Sequence, residues 1–110
     1  MASRTFLNVN DLNWEDQGGG ISRCILGYDD RIMMVKVKFG KGAAGSPHSH
    51  HHSQTTYVES GKFEFTVGQE KSIITKGDAV YIRPDVIHSA TCLEEGILID
   101  AFSPMREDFI

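Results

Sequence analysis

Apolar and polar side chains alternate in short runs along most of this chain, and turn residues interrupt the runs before any helical period develops. In Lys62–Val67 the apolar positions are Phe63, Phe65 and Val67, which predicts a strand with one buried face. Arg31–Phe39 alternates through Met33, Val35, Val37 and Phe39, but Ile32 and Met34 make its other face partly apolar. A second sheet or a partner subunit against that face accounts for the departure. Near the C-terminus, Leu98, Asp100 and Phe102 share one side of a predicted strand, and Ile97, Ile99 and Ala101 the other. Turn signals arrive at short intervals: Gly18-Gly19-Gly20, Asp29-Asp30, Gly40-Lys41-Gly42, Ser60-Gly61, Gly68, Gly77-Asp78, Pro84-Asp85 and Glu94-Glu95-Gly96. Short runs rich in Val, Ile, Phe, Tyr and Thr between such turns predict an all-β sandwich or barrel.

At 110 residues and 40% apolar content, the chain suits one core and a single domain. A formal charge of −4 supplies no broad basic field, so neither nucleic acid nor an anionic membrane is expected as a partner. No apolar run has the length of a membrane span, and Met1–Leu12 lacks the basic start and apolar core of a signal peptide. A cytoplasmic location is expected. Cys24 and Cys92 then read as separate buried thiols. Trp14 and its neighbours read as an N-terminal arm folded onto the body.

Four of the five histidines lie between positions 48 and 52. On an extended strand His48, His50 and Gln54 share a face and His51 points away. A helical metal site would favour ligands four residues apart. Here Gly42, Gly45 and Pro47 precede the cluster and Thr55-Thr56-Tyr57-Val58 follows it, so the cluster is expected within a sheet. His88 stands alone downstream. Cys92 falls on the same face as His88 if that strand continues, although a small buried thiol is the simpler reading.

As a pattern, Gly42-x5-His48-x-His50-x3-Gln54-x6-Gly61 is followed by Gly77-x5-Arg83-x-Asp85-x2-His88-x3-Cys92. Together these resemble the two motifs of the cupins. The resemblance implies a double-stranded β-helix, or jelly-roll barrel, with an arm over 1–20, a motif-bearing core over 42–102 and a tail over 103–110. It places His48, His50, Gln54 and His88 on the ligand positions for one divalent transition metal per chain (zinc, nickel, manganese or iron), and leaves out His51 and His52. Gln54 stands where Glu is usual, Arg83 and Asp85 where Pro and Gly are usual, and Cys92 where Asn is usual. Three imidazoles and an amide leave the charge of a dication largely uncompensated, which favours Lewis acidity and anion binding over stabilising oxidised iron.

A more specific resemblance covers almost the whole chain. Trp14-Glu15, Gly18-Gly19-Gly20-Ile21-Ser22-Arg23, the His-x-His-x-His-x-Gln block, Tyr57-Val58, Gly61-Lys62-Phe63-Glu64-Phe65 and Leu98-Ile99-Asp100-Ala101-Phe102-Ser103-Pro104-Met105-Arg106-Glu107-Asp108-Phe109 look like the pectin-degradation cupins of the KdgF type. That resemblance implies ring opening of 4,5-unsaturated monouronates to the linear 5-keto-4-deoxyuronate, with a small anionic sugar acid as the partner. It further implies Asp100 as proton-transfer group, Arg106 as carboxylate clamp and Phe102 packed on the sugar ring. His51 and Ser53 depart from the family's usual Pro and Glu. By local pattern alone, Asp100 equally reads as a turn residue before Ser103-Pro104, and Arg106 as an exposed partner of Glu107 or Asp108. A non-catalytic sugar-acid binding cupin is the second reading, and a dioxygenase or sugar isomerase the third. A homodimer is expected from the habit of cupin barrels and the doubly apolar start of Ile32–Val37.

Overall fold

The computed structural model describes residues 1–110. Eight strands form an all-antiparallel barrel: β1 Glu15–Gly18, β2 Ile21–Asp29, β3 Ile32–Phe39, β4 Ala44–His48, β5 Ser53–Val67, β6 Glu70–Thr75, β7 Ala79–Ile82 and β8 His88–Ser103. Short 3-10 turns at Val9–Asp11 and Glu107–Phe109 are its only helical segments. The architecture is that of an all-β cupin domain.

Two long strands organise it. The first half of β8 pairs with β4 and with the second half of β5, which in turn pairs with β6. The second half of β8 pairs with β3 and with the first half of β5, and β2 and β7 extend that layer on its two sides. Both long strands bend where they cross between layers, at Ser60-Gly61 and Glu95-Gly96. Gly61 has φ +87°, and a Cβ there would lie 2.6 Å from the Glu95 carbonyl and the Gly96 Cα. Only glycine lets the two corners meet.

The corner also shifts the pleat. In β5 the inward side chains are Gln54, Thr56 and Val58 before Gly61, and Phe63, Phe65 and Val67 after it. An extra residue at the bulge moves the inward set from even to odd positions. β8 keeps one parity throughout: His88, Ala90, Cys92, Leu98, Asp100 and Phe102 are its inward positions. The alternations predicted for Met33–Phe39, Phe63–Val67 and Leu98–Phe102 are therefore those of the barrel wall.

In the main apolar core Phe39 meets Phe63 edge to face at 5.3 Å, among Val58, Phe65, Ile74 and Ile82. A smaller cluster joins Met33, Val35 and Phe102. The N-terminal segment runs along β2: Ser3 N donates to Tyr28 O at 2.9 Å, Tyr28 N donates to Ser3 Oγ at 3.0 Å, and a Cβ added at Gly27 would meet Leu7 at 3.7 Å. Cys24 and Cys92 are buried free thiols, both raised above the ordinary thiol range by burial. Cys92 Sγ donates to the Glu94 carbonyl and does not reach the metal-ligand cluster.

Candidate metal centre and its cavity

His48 ends β4 and His88 begins β8, and strand pairing sets them directly opposite one another, with ring centroids 4.3 Å apart. His50 arrives from the connecting loop, its centroid 4.9 Å from that of His88. One continuous strand from His48 to Gln54 is a reading the structure corrects, because residues 49–52 leave the ladder between β4 and β5. The Asp85 N–H donates to the His50 carbonyl at 2.8 Å, so the loop is held by the β7–β8 turn instead of a neighbouring strand. The nitrogens of His48, His50 and His88 lie within 4.8 Å of one another.

Backbone carbonyls fix which nitrogen each imidazole offers. His48 Nδ1 meets Ser46 O at 2.9 Å, His88 Nδ1 meets Val86 O at 2.9 Å, and His50 Nδ1 meets His52 O at 3.2 Å. Each contact requires Nδ1 to be the donor, which leaves the Nε2 lone pair free on all three rings. Burial pushes His50 and His88 below the ordinary imidazole range, so the neutral, ligating form is favoured.

Gln54, 7% exposed, is the second residue of β5 and lies opposite Phe102 of β8. Its Nε2 donates to Thr56 Oγ1 at 3.0 Å and reaches Asp100 Oδ1 at 3.4 Å, which turns Oε1 toward His50 Nε2, 3.0 Å away. With Nδ1 bonded to the His52 carbonyl, this contact is an N–H donation from an imidazolium or, with His50 neutral, two lone pairs that a bound cation would join. The donor set of three imidazoles and an amide oxygen fits a divalent transition metal. His51 is exposed and stacks on His52 at 4.0 Å. His52 is buried with both ring nitrogens unbonded, yet stands outside the ligand cluster.

Asp100 lies opposite Thr56 in the β5–β8 register, and Thr56 Oγ1 donates to its Oδ1 at 2.6 Å. Both hydrogen bonds to Asp100 end on Oδ1, leaving Oδ2 unbonded. Burial pushes this carboxyl up to about 6, although the bonds from Thr56 and Gln54 and the charge of Arg106 pull it down. Asp100 is thus a residue of mid-strand and not a turn cap. Phe102, 3% exposed, packs under His50 and against Phe109. Arg106 follows the cis Ser103-Pro104 bond, and its Nε and Nη2 donate to both carboxylate oxygens of Asp108, at 3.1 and 2.9 Å.

A cavity of about 260 Å³ brings these groups together, with His48, Gln54, His88, Asp100, Phe102 and Arg106 on its wall. That is slightly below the range of roughly 300–1,000 Å³ usual for small-molecule sites, a size that suits one sugar ring. Three residues at or behind the wall carried no functional reading in the sequence: Arg23 on β2 and Phe109 in the tail, which line the cavity, and Thr56, which holds Asp100 from behind it. Arg23 and Thr56 occupy alternating positions, Ile21-x-Arg23-x-Ile25 and Gln54-x-Thr56-x-Val58, that a polar inward residue would have marked.

A jelly-roll barrel with a three-His, one-Gln cluster at one end defines the class, and comparison agrees. The cupin domain model matches residues 35–99, and the chain belongs to that family. Within it, the chain belongs with the pectin degradation protein KdgF of Dickeya dadantii (strain 3937), to which it is 44% identical over 97% of its own length and 99% of the relative's. The structure of KdgF from Halomonas sp. superposes with a TM-score of 0.93 at 37% identity, covering 98% of this chain and all of that one. An RmlC-like cupin from Shewanella frigidimarina NCIMB 400 gives 0.97 at 44% identity, covering 99% and 98%.

Proposed function

We propose that the protein is a metal-dependent enzyme that opens the ring of 4,5-unsaturated monouronates to give 5-keto-4-deoxyuronates. The observation that carries this reading is the cavity itself: a cluster of neutral ligands, a carboxyl raised to about 6 and a guanidinium line a space sized for one sugar ring. Similarity to a protein of pectin degradation supplies the substrate class.

The reaction asks for a proton at C4, water at C5, and cleavage of the C5–ring oxygen bond as the C5 ketone forms. A divalent metal bound to His48, His50, Gln54 and His88 would supply Lewis acidity beside the reacting carbons. Asp100, raised to about 6, can take up and release a proton near neutral pH on the face of the cavity. Thr56 and Gln54 fix its Oδ1, so Oδ2 is the atom that delivers or accepts. Arg106 places positive charge where the uronate carboxylate lies, and Phe102 forms the apolar wall behind the ring.

The same reading includes a homodimer through the outer face of the larger layer, where Ile32, Met34, Tyr57 and Tyr81 are exposed. No helix is long and apolar enough to cross a membrane, and the unpaired thiols suit a reducing, cytoplasmic compartment. The deciding experiment mixes metal-loaded protein with unsaturated monouronates derived from pectin and alginate. Loss of the conjugated enol-ether absorbance without oxygen uptake is expected; an unchanged absorbance with both substrates rules the activity out.

A further inference from the structure

Arg23 has no part in the mechanism above, yet it faces the same cavity. Its position follows from register: Arg23 pairs with Val37 and Val37 with Leu98, beside the row that runs Ile25, Val35, Asp100, Thr56. The alternation Ile21-x-Arg23-x-Ile25 sends all three side chains inward, and Ile21 and Arg23 line the cavity wall.

The two cavity arginines differ in what they already hold. Arg106 gives its Nε–Nη2 edge to both oxygens of Asp108, and that contact keeps the Asp108 carboxyl below the usual range. Arg23 has no carboxylate partner among the ion pairs of the chain, and its Nε is buried without a hydrogen bond. Both guanidiniums lie against the Phe109 ring, with Arg23 Cζ 3.9 Å and Arg106 Cζ 4.3 Å from its centroid. Two cations therefore share one aromatic ring, and the carboxylate of Asp108 pairs with Arg106 alone. A half-buried guanidinium is costly without a counter-charge, and the cavity into which it faces is open to an anion. Stacking on Phe109 holds the plane of Arg23 still and leaves its N–H edges for that anion.

We propose that Arg23 is the carboxylate-binding residue of the cavity: its unpaired fork takes the carboxylate of the sugar acid, while Arg106, whose Nε–Nη2 edge is committed to Asp108, holds the tail and adds charge. The identity of the anion rests on the ring-opening reading; the existence of the anion subsite does not. The test is calorimetric titration of the metal-loaded protein with galacturonate, a uronate with no double bond to open, with galactose as the neutral control. Wild type should bind galacturonate and not galactose. Arg23→Gln should weaken galacturonate by about tenfold or more with metal content and melting temperature retained, and Arg23→Lys should fall between the two. On the unsaturated substrate the same loss should appear mainly in KM.

Arg23→Gln binding galacturonate as wild type does would overturn the assignment. So would inorganic phosphate competing as well as galacturonate, or an Arg23→Lys variant that loses its fold or its metal in parallel with binding. If ring opening proceeds with an unchanged KM in Arg23→Gln, the ring-opening reading stands and Arg23 falls. If galacturonate binds through Arg23 but the unsaturated uronate stays intact, Arg23 stands and the reaction falls.

Discussion

Before the Ser60-Gly61 corner the inward side chains of β5 are Gln54, Thr56 and Val58; after it they are Phe63, Phe65 and Val67. The two halves are nearly equally buried, Thr56 at 1% and Phe63 at 0%. Their energetics are opposite. Burying a Phe side chain contributes about 1.5–3 kcal/mol, whereas a buried amide, hydroxyl and carboxyl cost free energy until each finds a partner. The chain Gln54 to Thr56 to Asp100 supplies those partners but leaves Asp100 partly unpaid, with its carboxyl raised to about 6. The half of β5 after the corner supplies apolar burial, and the half before it is held in place by that core while presenting chemistry.

Phe63→Ala gives the largest effect. Phe63 is fully buried and meets Phe39 edge to face, so truncation should cost about 3–5 kcal/mol, read as a lower urea midpoint. Below 1 kcal/mol, the apolar half would not be the source of stability and the contrast between the halves would dissolve.

Asp100→Asn should do the reverse. Ring opening should fall by roughly a hundredfold or more with metal content intact, because the amide cannot exchange a proton. Stability of the metal-free protein should rise at neutral pH. A carboxyl raised from 3.8 to about 6 in the folded state has its full stability below about pH 4 and loses it as pH rises through 6. The variant should therefore match wild type at pH 4 and exceed it above pH 6, by at most about 3 kcal/mol. Denaturation midpoints across that interval check the sign. A gain at pH 4, or none at pH 7, would show that burial does not strain this carboxyl.

Much of this was legible because a period of two is a local property. The inward sets of β3, of β8 and of the second half of β5 stand in the sequence as alternations, and His48 and His50 as a spacing. What joins them is register, which local pattern does not carry. His48 faces His88 across a strand pair, and Asp100 faces Thr56; without that pairing Asp100 reads as a turn residue. The strand predicted through His48–Gln54 fails because the His50 carbonyl bonds Asp85, thirty-five positions downstream. Arg106 pairs with Asp108 as the local pattern allowed, but it lies half-buried on the cavity wall and is not exposed.

Gln54→Glu tests the polar half at smaller scale. The added charge should tighten divalent metal binding, and it would set a second carboxylate beside Asp100 in place of an N–H donor 3.4 Å away. Like charges at that distance push Asp100 further up. Metal affinity should rise while turnover falls, measured by chelator competition and by initial rates. Turnover at or above wild type would mean that the neutral amide is not what the site requires.

The smallest effect concerns the turn that pins His50. Asp85 is the one non-glycine residue with positive φ, at 66°, and its N–H holds the His50 carbonyl at 2.8 Å. Asp tolerates the left-handed region better than most residues, yet glycine enters it without a Cβ clash. Asp85→Gly relieves strain in the folded state and loosens the unfolded chain, two effects of opposite sign. Strain relief should win by about 0.5–1 kcal/mol, while Asp85→Ala should lose a similar amount, both read from thermal melts. Metal affinity should stay constant in both, because the backbone bond to His50 survives either change. A destabilised Asp85→Gly with weaker metal binding would instead assign the Asp side chain itself a part in holding the loop, and would extend the polar half of the barrel to β7–β8.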